Sequence, residues 1–178
     1  FENVNVTGIS SEAGRVTGVR TDRGDMSAEY VVNCAGLWAR AVGQLAGVSV
    51  PLLAAEHYYL ISEPIPGLHP MLPILRDPGN SAYIREETGK LMVGLFEPDA
   101  RPWGLDGIPA DFCFDDIPPN WDRMAPYIEK AMRRVPCLLE TGIKLLFCGS
   151  ESFPPDHNYL IAEATAFGYF LVAAGFTS

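Results

Sequence analysis

Gly149-Ser-Glu-Ser-Phe-Pro-Pro-Asp-His-Asn-Tyr-Leu-Ile161, followed by Tyr169-Phe-Leu-Val-Ala-Ala-Gly-Phe-Thr-Ser178, is the stretch that decides how this chain is read. It predicts a polar, Pro-punctuated loop, a short apolar run, a glycine turn and an apolar strand ending in Gly-Phe-Thr-Ser. A buried strand that runs into Gly and small hydroxyl residues brings main-chain N–H groups up to a ligand, because no bulky side chain intervenes. The chain stops at the tip of its most apolar strand, which predicts a piece of a longer protein.

Working outward, Val31-Val-Asn-Cys-Ala-Gly36 reads as a second buried strand that opens a helix. Leu37, Ala41, Leu45 and Val48, with Trp38 and Val42 beside them, predict about three helical turns closed by Gly47. A strand–Ala-Gly–helix junction is where α/β proteins place phosphates, since helix-start amides face the ligand there, and it serves plain helix–strand packing as well. The G-x-G-x-x-G fingerprint is not present, for Gly8, Gly14 and Gly18 have the wrong spacing. Those glycines fall in a meander. Val4–Thr7, Arg15–Arg20 and Met26–Tyr30 read as short strands joined by the turns Ser11-Glu-Ala-Gly14 and Asp22-Arg-Gly-Asp25.

The middle of the chain is built differently. Glu56-His-Tyr-Tyr-Leu-Ile61 reads as a strand with His57 and Tyr59 on one face. Pro64, Pro66, Pro70, Pro73 and Pro78 predict a long loop. Ser81–Glu86 and Leu91–Phe96 flank Glu87-Thr-Gly-Lys90 as a hairpin, with Tyr83 and Arg85 sharing a face. A loop from Pro98 to Pro119 carries the solvated acids Asp111, Asp115 and Asp116, whose spacing does not suit a metal. Asn120 caps a helix with Met124, Ile128, Ala131, Met132 and Val135 on its apolar stripe, ended by Pro136, with Pro126 as a second candidate start. Gly142–Cys148 reads as a strand returning to the opening loop.

The formal charge of −9 argues against nucleic acid and against an anionic membrane surface as partners. No apolar run approaches the ~20 residues of a membrane helix. Cys34, Cys113, Cys137 and Cys148 are scattered, with no C-x-x-C pair, and read as buried free thiols of a reducing compartment.

Val4-Asn-Val-Thr-Gly-Ile9, Asp22-Arg-Gly-Asp25, Val31-Val-Asn-Cys-Ala-Gly-Leu-Trp-Ala39, Glu56-His-Tyr-Tyr59, Ala82-Tyr-Ile-Arg-Glu86, Arg134-Val-Pro136, Thr141-Gly-Ile-Lys144 and Cys148-Gly-Ser-Glu-Ser-Phe-Pro-Pro-Asp156 together carry a resemblance. The chain resembles, nearly end to end, the dimethylglycine dehydrogenase and sarcosine dehydrogenase group of the D-amino-acid-oxidase-like flavoproteins. The resemblance implies a mixed α/β (α+β) fold. Meander and strand–helix pieces of an FAD-binding domain (residues 1–47 and 149–178) would enclose an inserted antiparallel-sheet substrate domain (residues 48–148).

It implies FAD as cofactor and an N-methylglycine, dimethylglycine or sarcosine, as substrate. Hydride would pass from the methyl carbon to flavin, and the iminium would lose formaldehyde or hand it to tetrahydrofolate on a separate domain. Electron-transfer flavoprotein or oxygen would be the acceptor, in the bacterial cytoplasm or the mitochondrial matrix. Residue by residue, Val6, Ala35, Gly36, Trp38, Gly175 and Phe176 match FAD-contacting positions, and His57 and Tyr83 the active-site His and Tyr. Pro154, Ala162 and Thr177 depart from the usual Thr, Gly and Asn. A regulatory relative without turnover, like the regulatory subunit of pyruvate dehydrogenase phosphatase, is the alternative.

Chemistry gives the His and Tyr a reason of their own. An ammonium has no lone pair to assist hydride loss, so the site must favour the neutral amine, and a His–Tyr pair relays that proton near neutral pH. A single His on a strand face is also a common half-buried packing residue. Arg85 is open to two readings, a carboxylate anchor or an outward surface Arg.

Overall fold

The computed structural model describes residues 1–113, 115–165 and 168–176. Thr177 and Ser178 of the closing motif therefore lie outside the described residues. The chain divides into two compact units: Phe1–Ala55, Trp103–Ala110 and Glu151–Ser178 form the first, Glu56–Pro102 and Asp111–Ser150 the second.

In the first unit, β1 (Val6–Glu12), β2 (Arg15–Thr21) and β3 (Gly24–Ser27) form an antiparallel meander. The expected first strand, Val4–Thr7, is set later and runs longer. A second sheet has the order β10–β11–β4, from Leu160–Glu163, Phe170–Ala174 and Val31–Asn33, with β11 and β4 parallel. Ile9, Val16, Ala39, Ala46, Val50, Leu52, Phe170, Val172 and Ala174 make one core, binding meander, helix and sheet together.

The helix after Gly36 is shorter than its pattern predicts. A 3-10 turn, Gly36–Trp38, precedes α1 (Ala39–Leu45), which has two turns. Its buried face is Ala39, Gly43 and the following Ala46, whereas Leu45 is exposed. Small residues win because Val50 and the Val48 carbonyl press against Gly43, where a Cβ would not fit. The side chain of Asn33 fixes the junction by donating to the Ala39 carbonyl (2.8 Å) and accepting from the Ala35 N–H (3.2 Å).

The second unit holds most of a five-stranded sheet in the order β6–β7–β8–β5–β9, from Leu75–Asp77, Ala82–Glu86, Leu91–Leu95, Leu53–Ser62 and Ile143–Phe153, with β6–β7, β7–β8 and β8–β5 antiparallel. The hairpin β7–β8 closes on paired Glu87 and Lys90 amides and carbonyls, as its turn chemistry predicts. Two expectations are corrected. The Pro-rich stretch contains the strand β6, which pairs with β7, and Gly149–Phe153 continues β9 where a loop was expected, so the loop begins at Pro154.

One face of this sheet is dry. Tyr58, Leu60, Ala82, Ile84, Leu91, Val93 and Leu95 are buried, as are Met124, Ile128 and Ala131 of α2 (Trp121–Arg134), which packs on β8. α2 begins at Trp121 and keeps Pro126 inside it. The Asn120 side chain accepts the Arg123 N–H (3.0 Å) and holds the first turn, so the ring costs one hydrogen bond without moving the start.

Beneath that face lies a polar knot. The Tyr58 hydroxyl donates to Glu56 Oε2 (2.8 Å), and Arg101 and Arg123 reach the same carboxylate at 3.6 and 3.7 Å. Burial pushes the Tyr58 hydroxyl far above its usual range and the Cys148 thiol up to about 11. Of the four cysteines only Cys148 is buried; Cys34, Cys113 and Cys137 are exposed, against the expectation of four buried thiols. Cys34 and Cys113 sit on irregular segments and Cys137 on the short 3-10 helix Pro136–Leu139, with no apolar stripe to draw them inward.

Candidate functional site

Two sets of residues were singled out from sequence, and each falls in one unit. In the first unit, β4 and β11 are parallel neighbours with Val172 opposite Asn33, so Cys34-Ala35-Gly36 and Gly175-Phe176 leave the sheet at the same end. The carboxyl ends of parallel strands are where open α/β sheets hold ligands. Gly36 has φ +52°, and the space its Cβ would enter is open; Gly175 has φ +72°, and a Cβ there would run into Pro154 and Leu52. Both glycines are thus required by the backbone, one leaving main chain bare and the other allowing close packing.

The Trp38 N–H donates to the Ala35 carbonyl (2.9 Å), which closes the 3-10 turn, while the Ala35 N–H is taken by the Asn33 side chain. Phe176 is 61% exposed and stacks on Tyr159 at 5.4 Å. Gly36 at a helix start and the largely exposed Phe176 thus follow the carboxyl ends of two neighbouring parallel strands. Val6 is not drawn into this group: it opens β1 of the separate meander, half-exposed, opposite Thr21. A small cleft of about 150 Å³ in the same unit, between α1 and residues 104–108, includes none of these six positions.

In the second unit, His57 and Tyr83 share the face of the sheet opposite the core. They do not face one another across adjacent strands, because β8 runs between β5 and β7. Two inter-strand spacings make about 10 Å. The Phe96 ring bridges them, its centroid 5.5 Å from His57 and 5.4 Å from Tyr83. In register across the sheet, Tyr59 and Tyr83 both stand opposite Gly94, and Tyr59 stacks on Phe147 at 4.7 Å. Arg76, opposite Tyr83 on β6, holds its guanidinium carbon 5.7 Å from the Tyr83 ring and 5.8 Å from Phe96.

The Tyr83 hydroxyl donates to the Met92 thioether at 3.8 Å, a weak acceptor that leaves the hydroxyl available to a better partner. Burial, with the charges of Asp116, Tyr83 and Glu87 behind it, raises the Tyr59 hydroxyl above its usual range, so Tyr59 stays protonated. Arg85 is engaged by Glu87 (2.7 Å) and by Met92, which decides between its two readings in favour of a surface pair.

Sequence reasoning missed Phe96, Arg76 and Gly94. An isolated glycine within a strand pattern signals close approach of another group, and period-two counting from Tyr83's partner reaches Phe96. Arg76 gave no signal, being placed in a loop. Among the described residues no group of three or more His, Cys, Asp or Glu could hold a metal ion, and no helix is long and apolar enough to cross a membrane.

Comparison with known proteins defines the class. Residues 1–178 match the family of FAD dependent oxidoreductases, DAO, and the chain belongs to it. Its relatives include the human mitochondrial sarcosine dehydrogenase, 43% identical over all of this chain and 20% of that protein. They also include the 4-methylaminobutanoate oxidase (formaldehyde-forming) of Paenarthrobacter nicotinovorans, 42% identical over 99% of this chain and 21% of that protein. The mouse regulatory subunit of pyruvate dehydrogenase phosphatase is 32% identical and mouse dimethylglycine dehydrogenase 31%. The chain spans about a fifth of the length of these relatives. Among solved structures, the L-proline dehydrogenase of P. horikoshii shares the fold with a TM-score of 0.81 at 22% identity, over 99% of this chain and 45% of that one.

Proposed function

We propose that this chain supplies the substrate-facing sheet and part of the FAD site of a flavoenzyme that oxidatively demethylates an N-methylated amino acid, dimethylglycine or sarcosine. The observation that carries the reading is the aromatic face on which His57 and Tyr83 flank Phe96. FAD, when bound, accepts the hydride leaving the methyl carbon. Ala35, Gly36 and Trp38 at the start of the 3-10 turn, with Gly175 and Phe176 beside them, would hold its diphosphate and flavin. Val6 remains the proposed adenine contact, on the meander.

The face has the parts the amine needs. The apolar walls of Tyr59, Phe96 and Phe147 weaken hydration of an ammonium and favour the neutral amine. His57 accepts the proton as the substrate enters, and the Tyr83 hydroxyl, released from Met92, donates to or accepts from the nitrogen. Because the two stand about two strands apart, they hold the amine between them and do not act as a contacting pair. Hydrolysis of the iminium by water would release the demethylated amine and formaldehyde, the latter free or captured by tetrahydrofolate on another domain, and electron-transfer flavoprotein or oxygen would be the electron acceptor.

The test is to purify the full-length protein, record its flavin spectrum, and add sarcosine, dimethylglycine or 4-methylaminobutanoate without air. Bleaching at 450 nm with formaldehyde formed one for one supports the reading. A protein that carries flavin and is bleached by none of them supports the regulatory alternative.

A further inference from the structure

The chain that leaves β8 is fastened at two points. The Phe96 N–H donates to the Ser81 carbonyl (2.7 Å) beside β7, and the Arg101 carbonyl accepts the Glu56 N–H (2.9 Å) of β5. Phe96 sends its ring against His57 and Tyr83, while the next residue, Glu97, is 6% exposed. Around the Glu97 carboxyl stand Glu56 from β5, with the Tyr58 hydroxyl bonded to it, Cys148 from β9, Arg123 from α2 and Asp99 from the same loop. Arg123 is already shared, for it reaches Glu56 Oε2 at 3.7 Å and donates from Nη2 to the Asp99 carbonyl; Arg101 reaches Glu56 Oε1 at 3.6 Å. Glu97 Oε1 has no hydrogen-bond partner among the described residues. A neutral carboxyl tolerates that setting. A carboxylate, buried short of donors and facing the Glu56 carboxylate, does not, and it regains hydration only by turning outward. The backbone that turns with it is the one that carries Phe96.

We propose that Glu97 is a positioning residue for the aromatic face: as the neutral acid it seats Phe96 against His57 and Tyr83, and when it ionises the ring leaves its seat and the amine loses the wall it binds against. The second half of this rests on the reading of the face as an amine site; the first half does not. Glu97 acts through Phe96 alone, from the buried side. The direction with pH follows from its surroundings. Burial, the largest cause, raises the Glu97 pKa above the usual carboxylate value; Glu56 and Asp99 add to the rise, and its own backbone N–H and Arg123 oppose it. The seat is therefore held at acid pH and lost as pH climbs through the raised value.

The test uses the full-length flavoprotein from pH 5 to 9, as wild type, Glu97→Gln and Glu97→Leu. Gln keeps the shape of the neutral acid, and Leu keeps a similar volume without a polar group to satisfy. The first measurement is amide hydrogen exchange in the peptide spanning residues 95–101, corrected for the intrinsic pH dependence of exchange and referred to the β7–β8 turn; it needs no turnover. Wild-type protection should fall ~10-fold or more as pH rises, since one pKa unit of linkage is a factor of ten, and should stay level in both variants. The second is anaerobic flavin reduction by sarcosine. The wild-type-to-variant ratio of half-saturating concentrations should rise ~10-fold from acid to alkaline pH, while the ratio of limiting rates stays within about threefold. Taking ratios cancels the titration of the amine and of His57, which all three proteins share. Wild-type protection that is flat with pH, protection that falls equally in the variants, or a flat ratio of half-saturating concentrations overturns the proposal. A protein whose flavin sarcosine does not reduce removes the demethylation reading, and hydrogen exchange then decides the role of Glu97 by itself.

Discussion

The ring of Tyr83 lies across Gly94, and any Cβ at that position would overlap its edge carbons. Tyr59 stands opposite the same glycine from the other side, so Gly94 is a notch in the middle strand between two tyrosines. The proposed catalytic Tyr is therefore seated by an absence of side chain. Its conformation is set by β8 and not by a strong hydrogen bond.

Gly94→Ala should displace the ring. Overpacking of this kind costs about 1–3 kcal/mol, and the same substitution made in a Tyr83→Ala background should cost at least about 1 kcal/mol less, because the obstructed atoms are gone. Denaturant unfolding of the four proteins in the cycle reads the difference. Additive effects would mean that the ring moves aside freely and that Gly94 does not position it.

Glu97 predicts a pH dependence of stability. It is 6% exposed, its Oε1 has no hydrogen-bond partner, and burial raises its pKa above the usual carboxylate value. The nearby Arg123 opposes that rise, and Glu56 and Asp99 add to it. A group with a raised folded-state pKa binds its proton more tightly when folded. Its stabilisation is complete below the unfolded pKa and is lost as pH climbs through the folded one. Wild type should lose stability with rising pH over that window, while Glu97→Gln should lose less. Parallel curves from urea midpoints across pH 4 to 8 would contradict this.

The thiols should divide by burial. Cys148 is 1% exposed, and burial, foremost among the causes, holds its pKa at about 11, so at neutral pH it is an enclosed thiol. Iodoacetamide on the native protein should label Cys34, Cys113 and Cys137 and spare Cys148 until denaturant is added, as peptide mapping would show. Rapid labelling of Cys148 in the native state would mean that the knot around Glu56 and Tyr58 opens readily.

Local chemistry was the part of the fold legible in sequence. The Glu87–Lys90 turn, the Asn120 cap and the shared face of His57 and Tyr59 each follow from a few neighbouring residues. Long-range pairing was not legible. β6 is three residues between prolines and exists because β7 offers it an edge. The order β7–β8–β5 separates His57 from Tyr83, which alternation alone cannot reveal. α1 hid its buried face because Ala39, Gly43 and Ala46 are too small to register as an apolar stripe, while the exposed Leu45 does. β11, read from sequence as an apolar strand, owes its burial to a central place in its sheet between β10 and β4.

The central claim is that the amine's proton is managed from the face that carries His57 and Tyr83. The most direct measurement is the anaerobic rate of flavin reduction by an N-methylated amino acid, followed from pH 6 to 10 in the full-length protein and in Tyr83→Phe and His57→Ala. Tyr83→Phe keeps the ring and its Phe96 contact, so folding should survive while the limiting rate falls by ~10²–10⁴-fold, the range of a general acid–base contribution. His57→Ala should lower the rate and also move the pH at which reduction sets in, since the group that tunes the amine is gone. Wild-type rates and an unshifted profile in both variants, with normal substrate binding, would contradict the account and leave the two residues as packing.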